Sequence, residues 1–219
     1  MPRILDILFS IFALLILFPF FVPIAIILFL TNEHKIFYKQ DRVGYKNTNF
    51  KIVKLATMLE NSPNMGSGSL TLKNDPRVLK PLGTFLRKSK INELPQILNI
   101  IQGDMSIVGP RPQMQFDFEK YSDEVQQKIY NVKPGLTGIG SIVFRDEESL
   151  ISKASETEDP HSFYVRVVAP YKGELEMWYQ NHRSMYLDFQ LIFLTAFVVL
   201  APKTRIYENL FKDLPVRKF

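Results

Sequence analysis

An uncharged apolar run near the N-terminus constrains the fold more than any other feature of this chain. The run extends from Ile7 to Leu30 and contains no charged side chain. As a helix, it would measure ~36 Å at ~1.5 Å per residue, which exceeds the ~30 Å hydrocarbon core of a bilayer. A cleavable signal peptide is disfavoured, because the run is too long and no small-residue cleavage site follows it. Residues 1–31 are therefore predicted to form a membrane segment.

Two prolines leave the path of this segment open. Pro19 and Pro23 lie in the middle of the run, and each removes a backbone donor and crowds the preceding helical turn. A straight span is one interpretation, because membrane helices tolerate proline. The other is a re-entrant helix that breaks at the prolines and leaves on the side it entered, with Arg3 and Asp6 paired at the headgroups. Basic residues follow the run, which places the downstream chain in the cytoplasm.

Net charge and the rarity of some residue types limit which partners, metal sites and nucleophiles the chain can have. The formal net charge is +5, which suits anionic partners such as phosphates or lipid headgroups. Nucleic acid is not predicted as a partner, because no nucleic-acid-binding motif accompanies the charge. The absence of cysteine excludes disulfides, thiolate zinc sites and cysteine nucleophiles. Three widely separated histidines disfavour a histidine metal site, so any metal is predicted to be a hard ion on oxygen ligands.

The stretch from Arg87 to Pro112 carries the densest chemical signals. It contains basic residues, an Asn-Glu pair, apolar residues at helical spacing and a closing GPRP. Asn92 is predicted to be the N-cap of a helix, with Glu93 in the first turn, where the helix dipole favours its charge. Gly103 is predicted to end that helix. A capped helix does not explain Arg111 between two prolines, a setting that suits bidentate phosphate binding.

On these residues the chain resembles the bacterial sugar transferase family, the monotopic polyprenyl-phosphate phosphoglycosyl transferases. The family pattern is an Asp-Glu pair, LPQ, a short helix and GDMSxVGPRP, and the chain departs from it at Asn92, where the family usually has its nucleophilic Asp. A long match with fixed spacing is far more specific than a short motif. The resemblance implies a mixed α/β fold with a re-entrant helix at 1–31, broken near Pro19 and Pro23, and a cytoplasmic-face catalytic domain at 32–219.

The resemblance also implies a reaction. Members of the family move a phosphosugar from a UDP-sugar to undecaprenyl phosphate at the bacterial inner membrane and release UMP, as the first membrane step of glycoconjugate synthesis. The family's Asp forms a covalent phosphosugar-enzyme, and its neighbouring Glu serves Mg²⁺. The expected partners are therefore a UDP-sugar, undecaprenyl phosphate and membrane lipids, with Mg²⁺ as the cofactor. Homo-oligomerisation stays open.

Two phosphate-bearing substrates require several cations and a metal ligand. The predicted phosphate-binding residues are Lys54, Arg87, Arg111 and Arg145. Glu93 or Asp104 is predicted to hold Mg²⁺, which would bridge diphosphate oxygens.

Asn92 breaks the family scheme, because a neutral amide is a poor nucleophile toward phosphorus. Three alternatives follow: Glu93 takes over the nucleophile's role, with the metal ion held elsewhere; the chain belongs to a subgroup with Asn in place and shifted chemistry; or it is an inactivated or engineered copy. We favour an active enzyme with Glu93 central, because the surrounding motif is intact. The competing class is a catalytically inactive membrane scaffold of a glycan pathway that retained the fold.

The remaining segments are predicted from periodicity and composition. They are strands at 36–44 and 50–58, a flexible loop at 60–75, an amphipathic helix at 113–128, a solvated acidic excursion at 146–162, a helix at 174–186, an apolar segment at 187–200 that is too short for a clean span, and a membrane-associated or frayed tail from 203 to 219. Asp75 is interpreted either as a turn residue or as a functional one.

Overall fold

The computed structural model describes residues 1–31, 34–65, 70–72, 74–201, 204–217 and 219. Helices dominate, and the strands form two small sheets, which confirms the predicted mixed α/β class. The strands are β1 (Phe37–Val43), β2 (Asn49–Leu55), β3 (Ser106–Val108) and β4 (Gly135–Thr137). The helices are α1 (Arg3–Thr31), α2 (Leu82–Lys88), α3 (Ile97–Gln102), α4 (Gln115–Phe118), α5 (Asp123–Lys128), α6 (Ile139–Val143), α7 (Glu147–Ala154), α8 (Pro160–Phe163), α9 (Ala169–His182), α10 (Met185–Leu200) and α11 (Ile206–Leu210). Shorter 3-10 turns cover Tyr45–Asn47, Ser62–Asn64 and Ile91–Gln96, and a π-helical turn covers Tyr164–Val168.

Both predicted N-terminal strands are present and form an antiparallel hairpin. Phe37 pairs with Leu55 at the open end, and Val43 pairs with Asn49 beside the connecting turn. The second strand ends at Leu55 rather than at the predicted residue 58. Lys54 therefore lies inside the strand, one residue before its end, with its side chain held by the regular geometry of the hairpin.

The second sheet joins the GDMSIVGPRP segment to the PGLTG segment at 134–138. Strands β3 and β4 run parallel, and Ser106 is opposite Gly135. A Cβ on Gly135 would lie 2.1 Å from the backbone nitrogen of Gly109, so only glycine allows this approach. The GPRP segment begins at that contact, which fixes where the chain carries Arg111.

The main hydrophobic core lies between the helices of the C-terminal half. Leu175 of α9, Leu191 of α10 and Ile139 of α6 are fully buried there. The chain end also belongs to this core: Phe211 is buried, and the ring of Phe219 packs at right angles to that of Tyr171. The frayed alternative is therefore wrong for these residues, because their aromatic rings pack against the domain. Membrane association of the tail stays a prediction.

Three further sequence predictions need correction. The helix expected at 113–128 is two helices, α4 and α5, and Ser122 caps the second. The acidic segment expected as a solvated excursion is helical over Glu147–Ala154, and its acids pair with basic residues of other elements. The helix predicted at 174–186 begins earlier and ends at His182. In the predicted loop 60–75, residues 66–69 and 73 lie outside the described part.

The start of α1 is bonded to the domain. Arg3 donates to the carbonyl oxygens of Ile100 and Ile101, the second at 2.7 Å. Asp6 accepts from the Ser106 hydroxyl and from the Ile107 amide, both at 2.9 Å. The predicted pairing of Arg3 with Asp6 at the headgroups is wrong, because both side chains satisfy unpaired groups of the domain instead.

The end of α1 returns to the same domain. Leu28 is buried in a cluster with Leu55 of β2, while Ile52 of the same strand is buried with Ile100. A straight helix from residue 3 to residue 28 would extend for ~38 Å at ~1.5 Å per residue, but three strand residues cover only ~10 Å. Contacts at both ends therefore indicate that α1 is strongly bent.

Both prolines lie between these two contacts. Pro19 and Pro23 lie inside α1, and the backbone keeps its helical assignment through them. The helix therefore has no gap at the prolines, and they are positions where a lost helical bond allows a helix to bend. Within the described ranges, α1 is the helix that is long and apolar enough to cross a membrane. Re-entry into a membrane stays a prediction.

The exposed apolar side chains of α1 continue onto α10. The rings of Phe9 and Phe189 meet edge to face, with centroids 6.4 Å apart. Helix α10 buries one side in the core and exposes large apolar residues on the other, including Tyr186, Phe193 and Leu200. This helix of 16 residues covers the apolar segment at 187–200 that was predicted to be too short for a clean span.

Candidate active site

The Asn-Glu pair lies in a tight 3-10 turn rather than at the start of an α-helix. The turn covers Ile91–Gln96, and Lys90 precedes it with a positive φ of 63°. Asn92 is buried within the turn and does not cap it, so its predicted N-cap role is wrong. The predicted end of the following helix is confirmed, since Gly103 has a φ of 101°. A lysine in the left-handed region is unusual and tends to mark a functional segment.

Glu93 is the buried carboxylate at the centre of the site. Arg111 donates two hydrogen bonds to it, from Nη2 to Oε1 at 2.7 Å and from Nη1 to Oε2 at 3.3 Å. The ammonium of Lys54 lies 3.8 Å from Glu93 Oε1. The fold therefore brings together three of the predicted site residues from distant parts of the chain.

Positive charge exceeds negative charge around this carboxylate. Burial alone would raise the pKa of Glu93, but the charges of Arg111, Lys90 and Lys54 hold it well below its usual range. Burial lowers the pKa of Lys54 well below its ordinary value, although Glu93 opposes that shift, and neighbouring arginines lower it further. The Glu93 carboxylate is thus surrounded by more positive charge than it can neutralise. The net positive charge of the site favours the binding of an anion.

The other two predicted cations border the same site. Arg87 forms an ion pair with Glu148 at 2.6 Å, and its charge lowers the pKa of Lys54. Arg145 donates to the carbonyl of Lys88 at 3.1 Å. Burial lowers the pKa of Arg145, while the charge of Glu93 acts to raise it. Neither arginine contacts the central carboxylate, but both lie within its electrostatic range.

The structure does not join Asp104 to Glu93. Glu93 lies in the 3-10 turn before α3, whereas Asp104 follows the far end of α3, where Asn99 approaches it at 3.5 Å. In the ranges that the structure describes, no cluster of three or more His, Cys, Asp or Glu side chains could hold a metal ion. The two candidate Mg²⁺ ligands therefore belong to different places in the fold, and Mg²⁺ binding by either stays a prediction.

One buried oxygen beside Glu93 does fit a hard cation. Within the described residues, Asn92 Oδ1 is buried without a hydrogen-bond partner. Mg²⁺ takes oxygen ligands, usually one or two carboxylates together with substrate phosphates. Glu93 and Asn92, neighbours in the chain, thus supply oxygens of the kind that Mg²⁺ takes when it arrives with a diphosphate.

Residues outside the recognised motifs position Arg111 through contacts with its backbone and with that of Pro112. Tyr130 donates its hydroxyl proton to the carbonyl of Arg111 at 2.8 Å and accepts from the amide of Gln113 at 2.9 Å. Arg42 donates to the carbonyl of Pro112 at 3.3 Å. Glu176 accepts from the Arg111 amide at 3.4 Å, and burial raises its pKa to about 8. Sequence reasoning missed these supports because they lie on elements without a motif.

Comparisons with known proteins point to one family. The profile described as "Bacterial sugar transferase" matches residues 1–202. "Exopolysaccharide production protein ExoY" of Sinorhizobium fredii is 35% identical over 167 residues, which are 70% of this chain and 73% of that protein. A UDP-N-acetylgalactosamine-undecaprenyl-phosphate N-acetylgalactosaminephosphotransferase of Aeromonas hydrophila is 29% identical over 90% of this chain. A UDP-glucose:undecaprenyl-phosphate glucose-1-phosphate transferase of Xanthomonas campestris is 33% identical over 89% of it. The matched regions cover 43% and 38% of the last two proteins, so the chain spans less than half of their length.

Proposed function

Because the chain belongs to the bacterial sugar transferase family, we propose that it transfers a sugar phosphate from a UDP-sugar to undecaprenyl phosphate and releases UMP. Relatives named for this reaction use UDP-linked hexoses or N-acetylhexosamines. A relative named for exopolysaccharide production supports a role in the first membrane step of glycoconjugate synthesis. The observation that carries the proposal is the buried Glu93 carboxylate held by Arg111 and Lys54.

The charge distribution suits a diphosphate donor. Arg111 presents a planar pair of donors, which matches phosphate oxygens as well as it matches a carboxylate. A diphosphate that takes over the Arg111 and Lys54 contacts releases the oxygens of Glu93. Arg145 and Arg87, which lie within electrostatic range, add to the potential that attracts the substrate. Binding of the donor and activation of the carboxylate are then one event.

The first step is nucleophilic attack by Glu93. Its depressed pKa keeps the carboxylate ionised at neutral pH, so no base is needed to remove a proton. A Glu93 oxygen forms a bond to the β-phosphorus of the UDP-sugar, and the bond from that phosphorus to the bridging oxygen breaks. UMP leaves with the electron pair, and an acyl phosphosugar remains on the enzyme.

The second step regenerates the carboxylate. A phosphate oxygen of undecaprenyl phosphate attacks the same phosphorus, and the bond to Glu93 breaks. The product is a lipid-linked diphosphosugar. Arg111 then re-forms its two bonds to the carboxylate, which returns the site to the arrangement described above.

Residues of this chain fit a bound Mg²⁺ at the same place. Glu93 and the unpartnered Asn92 Oδ1 would hold it together with the substrate. When bound, the ion would neutralise diphosphate oxygens and stabilise the leaving UMP.

The membrane segment fits a lipid acceptor. Helix α1 is apolar along its length, and both of its ends contact the domain that carries the site. We place the protein at the cytoplasmic face of the inner membrane, with α1 re-entrant. UDP-sugars are cytoplasmic, and undecaprenyl phosphate presents its headgroup at the membrane surface.

A catalytically inactive scaffold is the second candidate, and Asn92 is the observation that favours it. The family's usual nucleophile is absent, while the fold and the surrounding cations are intact. The two candidates differ in turnover. A scaffold would bind a UDP-sugar without releasing UMP.

The test is UMP release from a panel of UDP-sugars by the purified full chain with undecaprenyl phosphate and Mg²⁺. We expect release with at least one sugar. Asn92→Asp is the matched variant, and we expect it to preserve or raise the rate if the family's scheme still fits this site. No release from any sugar by the wild-type chain, with release restored by Asn92→Asp, would identify an inactivated copy.

A further inference from the structure

A cavity opens where the membrane helix ends and the β-hairpin begins. Its volume is about 750 Å³, which falls within the ~300–1,000 Å³ of typical ligand pockets. Phe29 of α1, Ile36 and Phe37 beside it, and Ala56 and Met58 after β2 form an apolar lining. Such a lining suits a hydrocarbon chain rather than a nucleotide sugar.

The rim of the cavity is basic. Lys35 and Lys39 lie on it, together with Glu60, which forms an ion pair with Lys35. Lys39 is exposed and adds a second positive charge. An apolar chamber with a net positive rim matches an amphiphile with an anionic head.

Residues that line the cavity are neighbours of the proposed catalytic cations. Met58 lines it, and the sulfur of Met58 accepts a bond from Arg87 Nη1 at 3.5 Å. Ala56, also in the lining, follows Lys54 by two residues, a distance of ~7 Å along an extended chain. Lys54 in turn lies 3.8 Å from Glu93. A ligand with its chain in the cavity would therefore direct its head toward the reacting carboxylate.

We propose that this cavity is the acceptor site, which holds the first isoprenoid units of a polyprenyl phosphate while Arg87 and Lys54 receive the phosphate. The inference rests on the proposed function for the identity of the lipid. The cavity joins the apolar end of α1 to the site, so the lipid enters from the membrane without crossing water. In the proposed two-step reaction the donor diphosphate contacts Lys54 first, and the acceptor phosphate reaches Lys54 after UMP has left.

The first test separates the acceptor from the donor kinetically. Phe37→Ala removes an apolar wall from the cavity. Phe116→Ala is the matched control, because the two rings are 49% and 47% exposed and Phe116 lies on α4, away from the lining. We expect Phe37→Ala to raise the KM for undecaprenyl phosphate about tenfold, with UMP release in the absence of acceptor unchanged. An equal KM in the two variants would overturn the proposal.

A charge pair gives an independent measurement. Lys39→Gln removes a cation from the rim, and Lys51→Gln removes an exposed lysine from the neighbouring strand β2. We expect the first change alone to raise the KM for the acceptor, by severalfold at low salt. Flotation with vesicles should be the same for both variants, because membrane binding as a whole is carried by α1.

The second test does not need turnover. A benzophenone-bearing short prenyl phosphate, added to the wild-type chain in nanodiscs, should crosslink to residues 34–39 or 56–58, and undecaprenyl phosphate should compete with it. Crosslinks confined to the exposed side of α10 would overturn the proposal. Crosslinking in the cavity without UMP release from any UDP-sugar would support the site while contradicting the proposed function.

Discussion

Two buried arginine–carboxylate pairs in this protein perform different tasks. Asp75 and Arg77 are both 3% exposed in their side chains and are bonded at 2.6 Å and 2.9 Å. The remaining donors of Arg77 bind the carbonyl oxygens of Ser62, Met65 and Leu70. Charge and hydrogen-bonding capacity balance, so this pair holds the loop before it in place.

The Glu93–Arg111 pair has the same chemistry but is not balanced. Lys54 lies beside it, Lys90 adds a further charge, and the Arg111 side chain is 30% exposed. Asn92 Oδ1, next to it, lacks a donor within the described chain. Burial of an ion pair therefore does not by itself indicate an active site. The Glu93–Arg111 pair differs from the other pair by its surplus of positive charge, by the partial exposure of Arg111 and by the neighbouring acceptor atom that has no donor.

The largest expected effect is that of Glu93→Gln. The amide keeps the shape of the side chain but cannot attack phosphorus, so UMP release should fall by ~10³-fold or more. Thermal stability should also fall, because the cations lose their counter-charge, but by less than for Asp75→Asn, since the Arg111 side chain is 30% exposed to water. Metal affinity must be measured alongside, since the same carboxylate is the proposed Mg²⁺ ligand. Retained activity would show that the nucleophile lies elsewhere, with Asp104 next in line.

Asp75→Asn should have the opposite profile. The change leaves Arg77 buried without a counter-charge and should cost ~3–5 kcal/mol of stability. Although burial opposes ionisation, bonds from Arg77 hold the pKa of Asp75 below its ordinary value. Its stabilising contribution is therefore present above pH ~4 and lost as the pH falls through the depressed pKa. Melting temperatures at pH 7 and pH 3 test this, and UMP release per folded molecule should be unchanged.

Arg111→Lys tests whether geometry or charge matters in the unbalanced pair. Lysine keeps the charge but cannot form the two-pronged contact, so kcat should fall by ~10²-fold. Arg145→Lys is the matched control, because Arg145 acts at longer range, and it should lose less than ~10-fold. Equal losses in the two variants would mean that Arg111 serves only the local potential.

Glu176 extends the comparison to a buried carboxyl without a cation in contact. Burial raises its pKa to about 8, so the folded protein keeps a proton that the unfolded chain releases near pH 4.5. Stability from this group is complete below that value and is lost as the pH rises through 8. Glu176→Gln should equal the wild type at pH 5 and be more stable at pH 9, by at most ~5 kcal/mol. Thermal unfolding at the two pH values checks the sign.

Local sequence signals identified several elements and the centre of the site. The two N-terminal strands and the helix end at Gly103 could be predicted from composition and spacing, whereas Lys54 and Arg145 became candidates through the family resemblance. Such signals depend on residues that are close together in the chain. The predicted strands and the predicted helix end therefore lie within a few residues of the observed ones. Contacts between segments that are distant in the chain produce no comparable pattern in the sequence.

The errors concern those distant contacts. Asn92 has the composition of an N-cap, but packing of the 3-10 turn buries it. The acids near residue 147 appeared solvated because their partners, such as Lys172, lie on other helices. Glu176 was missed for the same reason, since nothing near it in the chain indicates that it meets Arg111.

The most direct test of the account is to trap the reaction before the acceptor arrives. The wild-type chain would be incubated with a UDP-sugar labelled with ³²P at the β-phosphate, without undecaprenyl phosphate, and then quenched and digested. We predict label on the peptide that contains Glu93, in a ratio of one to the UMP released, and its loss when undecaprenyl phosphate is added. UMP release that requires acceptor and leaves no label, or label on any other residue, would contradict the central claim that Glu93 is the nucleophile.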